Sequence, residues 1–353
     1  MLRVGVVGCG DWGPNLIRAF NDCDDAEVRA VCDRQGSRVK RILKRYPAVE
    51  GHIDGRELID RDDIDLVVVA TPVDSHFSFA RAAVESGKHV LVESPFTETC
   101  AEGEELIDRA KGNGVLIAVD HTSLFTPAVE KIRERIEAGE LGPIRYVDSV
   151  CMDRGRFHEE NNVIWALAPD VLSIVDAVLA RAPRRVAAMG SCHTVGGRAD
   201  VVCIHLDFDD GQAASLHVNR LSPVKVRRTI FGGDRRTLVF DDCSGQTEVR
   251  EYDAGIASIA DPLGATGERP DPLGAPTSVG WDLTIPAHEV LNAQARHLIE
   301  AVERGRPLRV DGQAGLRVVR VLEACDRSLR QGPASVTLEP RTTHREPALT
   351  VAC

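Results

Sequence analysis

The sequence lacks the patterns of membrane-spanning, disulfide-linked, zinc-binding and nucleic-acid-binding proteins. No apolar run in its 353 residues approaches the ~20 residues that span a bilayer, and no charged and apolar leader precedes the first predicted strand. The 10 cysteines include no Cys-x-x-Cys pair and the 11 histidines no His-x-x-x-His pair, so we expect reduced thiols and no metal. A net charge of -11 disfavours nucleic acid. These absences predict a cytoplasmic protein that acts on a small molecule.

Two catalytic patterns are also missing, the Gly-x-Ser-x-Gly elbow of hydrolases and the Gly-Lys-Ser/Thr phosphate loop of kinases. The N-terminus contains a different pattern. An apolar run over residues 2–7 precedes Gly8, Gly10 and Gly13, and a second apolar run ends at Asp33, 20 positions after Gly13. A dinucleotide needs this order, because its pyrophosphate requires a tight turn without side chains and its ribose diol requires a carboxylate. The pattern predicts a dinucleotide-binding site.

Strands and helices then alternate as far as residue 120. Such alternation, with apolar runs that suit strands buried on both faces, is typical of a doubly wound parallel sheet. We therefore predict an α/β protein whose residues 1–121 form an NAD(P)-binding Rossmann domain. The segments behind this prediction are a helix over 37–46, an apolar run over 64–70, a helix ending at Ser86, a strand over 87–93, a helix over 101–113 and a strand over 115–120.

Beyond residue 122 the order of predicted helices and strands is different. After a helix over 127–139, strand-like stretches follow one another with short turns, which favours an antiparallel or mixed sheet. Residues 122–340 are thus predicted to form an α+β domain on an open, mostly antiparallel sheet for substrate binding and oligomerisation. The strand-like stretches begin near Ile144, Arg185, Ala199, Ala213, Arg227 and Thr237; a surface excursion is expected over 252–279, helices over 289–304 and 312–330, and a flexible tail over 341–353.

Several longer phrases resemble the Gfo/Idh/MocA oxidoreductases. They are Gly8-x-Gly10-x-Trp12-Gly13-x-Asn15, Ala70-Thr71-Pro72, Gly87-Lys88-His89-Val90-x-Val92-Glu93-x-Pro95, His121-Thr122 with Pro127-Ala128-Val129, Asn162-Val-Ile-Trp165-Ala-Leu-Ala-Pro169, and Ser222-Pro-Val-Lys225-Val-Arg227-Arg228 followed by Asp241-Asp242. The last three are similar to the branch that oxidises position 3 of nucleotide-linked N-acetylated sugars. The resemblance implies a nicotinamide cofactor, a sugar-like small-molecule substrate against the second sheet, and a homodimer or homotetramer built through that sheet.

On matching positions the resemblance implies a cofactor site. Asp33 would hold the adenosine ribose, and Arg34 would stack on adenine or accept a 2′-phosphate, so NAD is expected, with NADP as the alternative. His76 has a second interpretation as a helix cap. The full set is Gly8, Gly10, Asp11, Trp12, Gly13, Asp33, Arg34, Thr71, Pro72, His76, Glu93 and His121.

The chain departs from the family pattern where the chemistry takes place. The family's Glu-Lys-Pro is here Glu93-Ser94-Pro95, so the lysine cation is missing. Ala166, Asp170 and Val171 stand where the related branch has an aspartate, a catalytic histidine and another aspartate. An alcohol loses its proton only to a nearby base or beside a cation, so these losses bear on hydride transfer itself.

Two explanations of the departures remain open. A third alternative is that the protein is a regulator that senses the nicotinamide pool. In the first, redox chemistry persists with Asp170 as a base, desolvated between Trp165 and the nicotinamide, and Ser94 passes the proton, with His121 and His158 in reserve. The alternative role of Asp170 is to cap a helix over 171–179. In the second, the cleft performs a non-redox cyclisation or elimination with a retained or vestigial cofactor.

The remaining candidates precede and follow this segment. Arg156, with His158, is expected to meet an anionic substrate, and Asn162 and Trp165 are assigned to the substrate site. A structural role is expected for Lys225, Arg227 and Arg228, which would pair with Asp241 and Asp242 within the sheet.

Overall fold

Six short apolar segments of the N-terminal half form one parallel sheet in the computed structural model. The model describes residues 1–154, 162–194, 197–243, 248–253, 281–282, 289–332 and 334–338. The strand order is β3-β2-β1-β4-β5-β6, which confirms the predicted Rossmann arrangement. The strands are β1 (Leu2–Val7), β2 (Ala26–Cys32), β3 (Glu50–His52), β4 (Leu66–Val69), β5 (His89–Glu93) and β6 (Ile117–Asp120).

Helices cover both faces of this sheet and begin at recognisable signals. Thr99 and Glu102 form a reciprocal capping box at the start of α5, and Thr126 caps α6 ahead of Pro127. Every helix within the described ranges is too short or too polar to cross a membrane. The helices are α1 (Gly13–Asn21), α2 (Gly36–Arg45), α3 (Gly55–Ile59), α4 (His76–Glu85), α5 (Cys100–Asn113), α6 (Pro127–Glu137), α7 (Val163–Leu179), α8 (Val290–Arg304) and α9 (Gly312–Gln331).

The second half of the chain forms a nine-stranded sheet of order β14-β13-β12-β11-β7-β10-β9-β8-β15. Only β7 and β10 pair in parallel among its described strands, which confirms the open, mostly antiparallel sheet. Helices α7 and α9 pack on one face. The strands are β7 (Ile144–Met152), β8 (Arg185–Ser191), β9 (Val201–Asp207), β10 (Ala213–Asn219), β11 (Val226–Gly233), β12 (Thr237–Asp241), β13 (Glu248–Tyr252), β14 (Trp281–Asp282) and β15 (Val336–Thr337).

The last two helices return to the first sheet. Ala295, Leu298 and Ile299 of α8 share a buried cluster with Leu2 and Val4 of β1, and α9 packs against α5. The chain passes between the two sheets three times, because β15 returns to the second sheet beside β8, although a boundary near residue 121 remains a prediction. The expected surface excursion over 252–279 and the tail over 341–353 lie almost wholly outside the described residues.

Helix α7 starts eight residues earlier than the alternative helix over 171–179. The Asn162 side chain accepts hydrogen bonds from the backbone N–H groups of Ile164 and Trp165, so Asn162 is the N-cap. Pro169 lies inside the helix. Asp170 is consequently a mid-helix residue, and the interpretation of Asp170 as a helix cap was wrong because the true cap lies two turns upstream.

Candidate functional site

The loop between β1 and α1 is shaped for a ligand that approaches the backbone closely. Gly8 has a φ of 105°, a conformation that favours glycine, and a Cβ there would collide with the carbonyl group of Ala70. A Cβ on Gly13 would collide with the carbonyl oxygen of Gly8. A Cβ on Gly10 would make only an ordinary contact, 3.7 Å from a guanidinium nitrogen of Arg38, and no side chain caps α1. The loop therefore leaves the N-terminus of α1 open to an anion.

Asp33 follows β2 at the edge of this loop and is 7% exposed. Its Oδ2 accepts a hydrogen bond from the Cys9 N–H at 2.9 Å, and its Oδ1 accepts one from the Gln35 N–H at 2.8 Å. A guanidinium nitrogen of Arg38 lies 3.5 Å from Oδ2, while Arg34 is exposed. The carboxylate is thus held in place by the glycine loop and retains acceptor capacity for a ribose diol.

These two features fit a dinucleotide. The Cβ-free cradle at Gly8 and Gly13 suits a pyrophosphate, and the fixed Asp33 carboxylate suits the adenosine ribose. Asp11 and Trp12 occupy exposed positions between the glycines, where they flank the cradle. The residues present are therefore compatible with NAD(H) at this edge of the sheet.

The segment after β4 places Thr71, Pro72 and His76 at the same edge. His76 is almost fully buried, with Nδ1 2.9 Å from the carbonyl oxygen of Pro95 and Nε2 2.7 Å from that of Thr71. Burial lowers the pKa of this imidazole, while the two carbonyl groups oppose the shift. The ring therefore ties the ends of β4 and β5 together and does not cap α4, whose N-cap is Ser75 without a side-chain bond.

Two buried carboxyl groups lie side by side where β5 and β6 end. Glu93 pairs in register with Asp120, and the indole Nε1 of Trp12 donates a hydrogen bond of 2.7 Å to Asp120 Oδ2. Burial and the neighbouring Asp120 raise the pKa of Glu93 well above its usual range. Burial thus favours the neutral form of Glu93, and Asp120 anchors the glycine loop through Trp12.

Ser94 and His121 extend this group along the same strand ends. The Ser94 hydroxyl and both ring nitrogens of His121 are buried and have no hydrogen-bond partner within the described residues. Burial lowers the pKa of His121 to about 4, so this ring is neutral. Buried polar atoms without partners are rare in folded proteins and often mark a functional site.

Asp170 faces this group from the second domain. It lies on α7 in a cleft of about 270 Å³ that is also lined by Trp12, Thr122 and Arg227. Although 46% of its side chain is exposed to the cleft, desolvation by the surrounding protein raises the pKa of Asp170; Arg227 opposes this shift, and Asp120 adds to it. The fold therefore brings Asp170 into a cleft that it shares with Trp12 of the glycine loop, and its role as a base stays a prediction.

Trp165 lies on a different side of α7 from Asp170, because five helical positions rotate a side chain by about 140°. Asn162 Nδ2 and Trp165 Nε1 donate hydrogen bonds of 2.7 and 2.8 Å to the two carboxylate oxygens of Asp326 on α9. They border a different cavity from that of Asp170. The structure thus does not place Asp170 against Trp165, and it gives Asn162 and Trp165 an anchoring contact that sequence spacing did not reveal.

The basic residues of β11 divide between two environments. Arg228 donates to Asp241 at 2.8 Å, as predicted. Arg227 lies 3.8 Å from Asp170 and 3.9 Å from Asp153, while Lys225 lies 3.8 Å from Asp153. The predicted pairing of Lys225 and Arg227 within the sheet missed these contacts, because the carboxylates come from distant segments. Arg156 and His158 lie outside the described residues.

Two site residues escaped sequence reasoning. Asp120 looked like an ordinary strand end, although its in-register position beside Glu93 was a usable signal. Arg227 belonged to a basic run and gave no sign of facing the cleft. Within the described ranges, no three His, Cys, Asp or Glu residues form a group that could hold a metal ion, and a metal-free site stays a prediction.

A glycine cradle, a fixed carboxylate beside it and a cleft against a second sheet fit the class of dinucleotide-dependent oxidoreductases. Comparison with known families agrees. Residues 2–121 match an oxidoreductase family with an NAD-binding Rossmann fold, and residues 129–239 match the Gfo/Idh/MocA C-terminal domain. Together the matches cover about two thirds of the chain. The chain belongs to the Gfo/Idh/MocA family of NAD(P)-dependent oxidoreductases.

Individual relatives are distant. A 4-carboxy-2-hydroxymuconate-6-semialdehyde dehydrogenase of Sphingobium sp. is 30% identical over 140 residues, which are 40% of this chain and 44% of that protein. A UDP-N-acetylglucosamine 3-dehydrogenase of Acidithiobacillus ferrooxidans is 25% identical over 325 residues, which are 90% of this chain and 94% of that protein. A solved structure of a UDP-N-acetylglucosamine 3-dehydrogenase from the same organism matches with a TM-score of 0.79 and 20% identity over 94% of this chain and 98% of that one, which shows the fold.

Proposed function

We propose that this protein uses NAD to oxidise a secondary hydroxyl group of a sugar, nucleotide sugar or similar polyol, or to reduce the matching ketone. The observation that carries the proposal is the position of Asp170, which faces the buried ends of β5 and β6 across a cleft shared with Trp12 of the glycine loop. The long alignment with a UDP-N-acetylglucosamine 3-dehydrogenase supports a sugar substrate. Since the relatives are dehydrogenases, redox chemistry is the explanation retained.

The preference for NAD over NADP rests on Asp33. Its carboxylate is fixed by two backbone N–H groups next to the cradle, and a 2′-phosphate at that point would bring two anions together. Arg38, 3.5 Å from the carboxylate, and the exposed Arg34 next in the chain would partly offset this repulsion. NAD is therefore the expected cofactor, with weaker use of NADP.

The residues divide the chemistry between them. Bound NAD(H) would supply the hydride acceptor for oxidation and the hydride donor for reduction. Asp170 accepts the hydroxyl proton in the first direction and returns it in the second. Ser94 supplies an uncharged hydroxyl where the family has lysine, and Glu93 and Asp120 fix the strand ends beside it.

Binding and turnover measured separately test the proposal. Isothermal titration of NAD and NADP establishes the cofactor, and absorbance at 340 nm with a panel of sugars, sugar acids and nucleotide sugars establishes turnover. We expect tighter binding of NAD and a change in absorbance with at least one polyol. Cofactor binding with substrate conversion at constant absorbance would indicate a non-redox reaction, and binding without any conversion would indicate a sensor.

The uncovered face of the second sheet supports the oligomer that the family resemblance implies. Met189, Cys203, His205 and His217 lie on neighbouring strands of this face, and Met189 is 64% exposed. A second copy seated there would cover this surface. Light scattering coupled to gel filtration is expected to give twice or four times 38.4 kDa.

All nine described cysteines are free, which suits the reducing cytoplasm.

A further inference from the structure

Arg227 is an arginine whose donors have no hydrogen-bond acceptor in the described part of the chain. Its two closest carboxylates, Asp170 and Asp153, lie 3.8 and 3.9 Å away, which is beyond hydrogen-bond distance. Its Nε is buried and has no partner. A guanidinium group has five N–H donors in a rigid plane, so this side chain presents unused donors to the cleft.

The location of Arg227 follows from the sheet. Arg227 pairs in register with Cys151 of β7, and the next residue, Arg228, binds Asp241. Successive side chains of a strand point to opposite faces, so adjacent basic residues separate into a structural pair and a cleft residue. The Arg227 side chain is 33% exposed, and the cleft is the space into which its donors open.

The surroundings keep this guanidinium charged. Burial lowers the pKa of Arg227, but Asp170 and the other acidic neighbours outweigh burial and leave the pKa raised. Charged donors bind oxygen acceptors more strongly than neutral ones do. The donors of Arg227 therefore suit an oxygen atom on which negative charge develops during a reaction.

We propose that Arg227 supplies the cation that the segment Glu93-Ser94-Pro95 lacks, by binding the oxygen atom on the substrate carbon that is oxidised or reduced. The inference rests on the proposed function and adds a catalytic residue to it. During oxidation the O–H bond breaks and its proton passes to Asp170, the C–H electron pair leaves with the hydride for NAD, and the C–O bond becomes a carbonyl bond. Arg227 stabilises the developing charge on oxygen throughout.

Two substitutions at one position separate charge from structure. Arg227→Met removes the charge and is expected to lower kcat by about 100-fold or more, the usual effect of losing one oxyanion donor. Arg227→Lys keeps a positive charge on a shorter side chain. It is expected to retain at least ten times the activity of the methionine variant. Arg109→Met is the matched control, because Arg109 on α5 forms exposed ion pairs with Glu85 of α4 and Glu105 of α5.

Chemical rescue adds a test that a purely structural arginine would not pass. Arg227→Ala leaves a gap, and free guanidinium ion at millimolar concentration is expected to restore part of the lost kcat. Cofactor titration of each variant is expected to match the wild type. A wild-type protein that fails to bind NAD would defeat the proposed function, whereas an active wild type with an equally active Arg227→Met variant would defeat the role of Arg227 alone.

A measurement on the protein without cofactor or substrate checks the contact between Arg227 and Asp170. Carboxyl carbon NMR of aspartate-labelled protein, with Asp170→Asn to assign the resonance, follows the ionisation of Asp170. The pKa of Asp170 is expected to rise in Arg227→Met, since a neighbouring cation is lost. An unchanged pKa would overturn the contact. The other groups that face Asp170 and stay in place are Asp120, Glu93, Asp242 and Cys151.

Discussion

The two walls of the cleft differ in how their functional residues are encoded. The cofactor wall takes Gly8, Gly13 and Asp33 from the first 33 residues, in the order in which a dinucleotide meets them. The opposite wall takes Asp170 from a helix and Arg227 from a strand, 57 positions apart. The first wall is a local motif, and the second is an assembly made by the tertiary fold.

The difference shows which functional positions of this chain tolerate substitution. Each glycine of the cradle is fixed by backbone approach, since a single added methyl group collides with a carbonyl. A charged group in the open cleft can be supplied from any element that reaches it. The chain keeps the cradle, and Asp170 and Arg227 occupy the cleft.

The largest effect is expected at Asp170. Asp170→Asn removes the proposed proton acceptor and is expected to lower oxidation by about 10²- to 10⁴-fold. In the wild type, oxidation requires the ionised carboxylate, so the rate falls as the pH drops below the raised pKa of Asp170. Initial rates across pH check both effects. Unaltered rates in the variant would assign Asp170 a structural role.

A paired glycine substitution probes the opposite wall. Gly13→Ala places a methyl group against the carbonyl of Gly8 and is expected to cost about 3 kcal/mol of unfolding free energy, at the upper end for overpacking. Gly10→Ala places its methyl group at an ordinary contact distance from Arg38 and is expected to keep the melting temperature while weakening NAD binding. Thermal melts and NAD titrations compare the two. Equal melting temperatures would contradict the tight cradle.

A smaller loss is expected at Asp33. Asp33→Ala removes the ribose acceptor and leaves the Cys9 and Gln35 N–H groups without their partner, so NAD affinity is expected to fall by about 10- to 100-fold. Affinity for NADP is expected to fall less. Calorimetry with both cofactors measures the ratio, and an unchanged NAD affinity would remove Asp33 from the cofactor site.

The smallest effect concerns the stability of the buried carboxyl pair. The pKa of Glu93 is higher in the folded than in the unfolded protein, so its contribution to stability is lost as the pH rises from the unfolded value of about 4.3 towards the folded one. Glu93→Gln removes this ionisation. The melting temperature of the variant, taken relative to that of the wild type, is therefore expected to be higher at pH 8 than at pH 4. Parallel melts of variant and wild type check the sign; a lower relative stability at pH 8 would contradict it.

Much of the fold was predictable, and the errors have specific causes. The predicted helix over 101–113 matches α5 within one residue because a capping box and Gly114 mark its ends. The alternative helix start at 171 was wrong. Pro169 is a residue type that usually marks a helix boundary, but here it lies inside a helix that Asn162 caps. The substrate role of Trp165 remains a prediction, since its indole is bound to Asp326, 161 positions away.

The sequence by itself determined the cradle and the strand order around it, because tight turns, apolar runs and the Asp33 spacing are local properties of the chain. Only the tertiary structure decided that Arg227 and Asp170 meet, that Trp12 reaches Asp120, and that Trp165 turns away from the cleft. The physical reason is the separation along the chain over which each interaction acts. Backbone conformation is set by neighbouring residues, whereas a charge in a cleft acts on any group within a few ångströms, wherever that group lies in the chain.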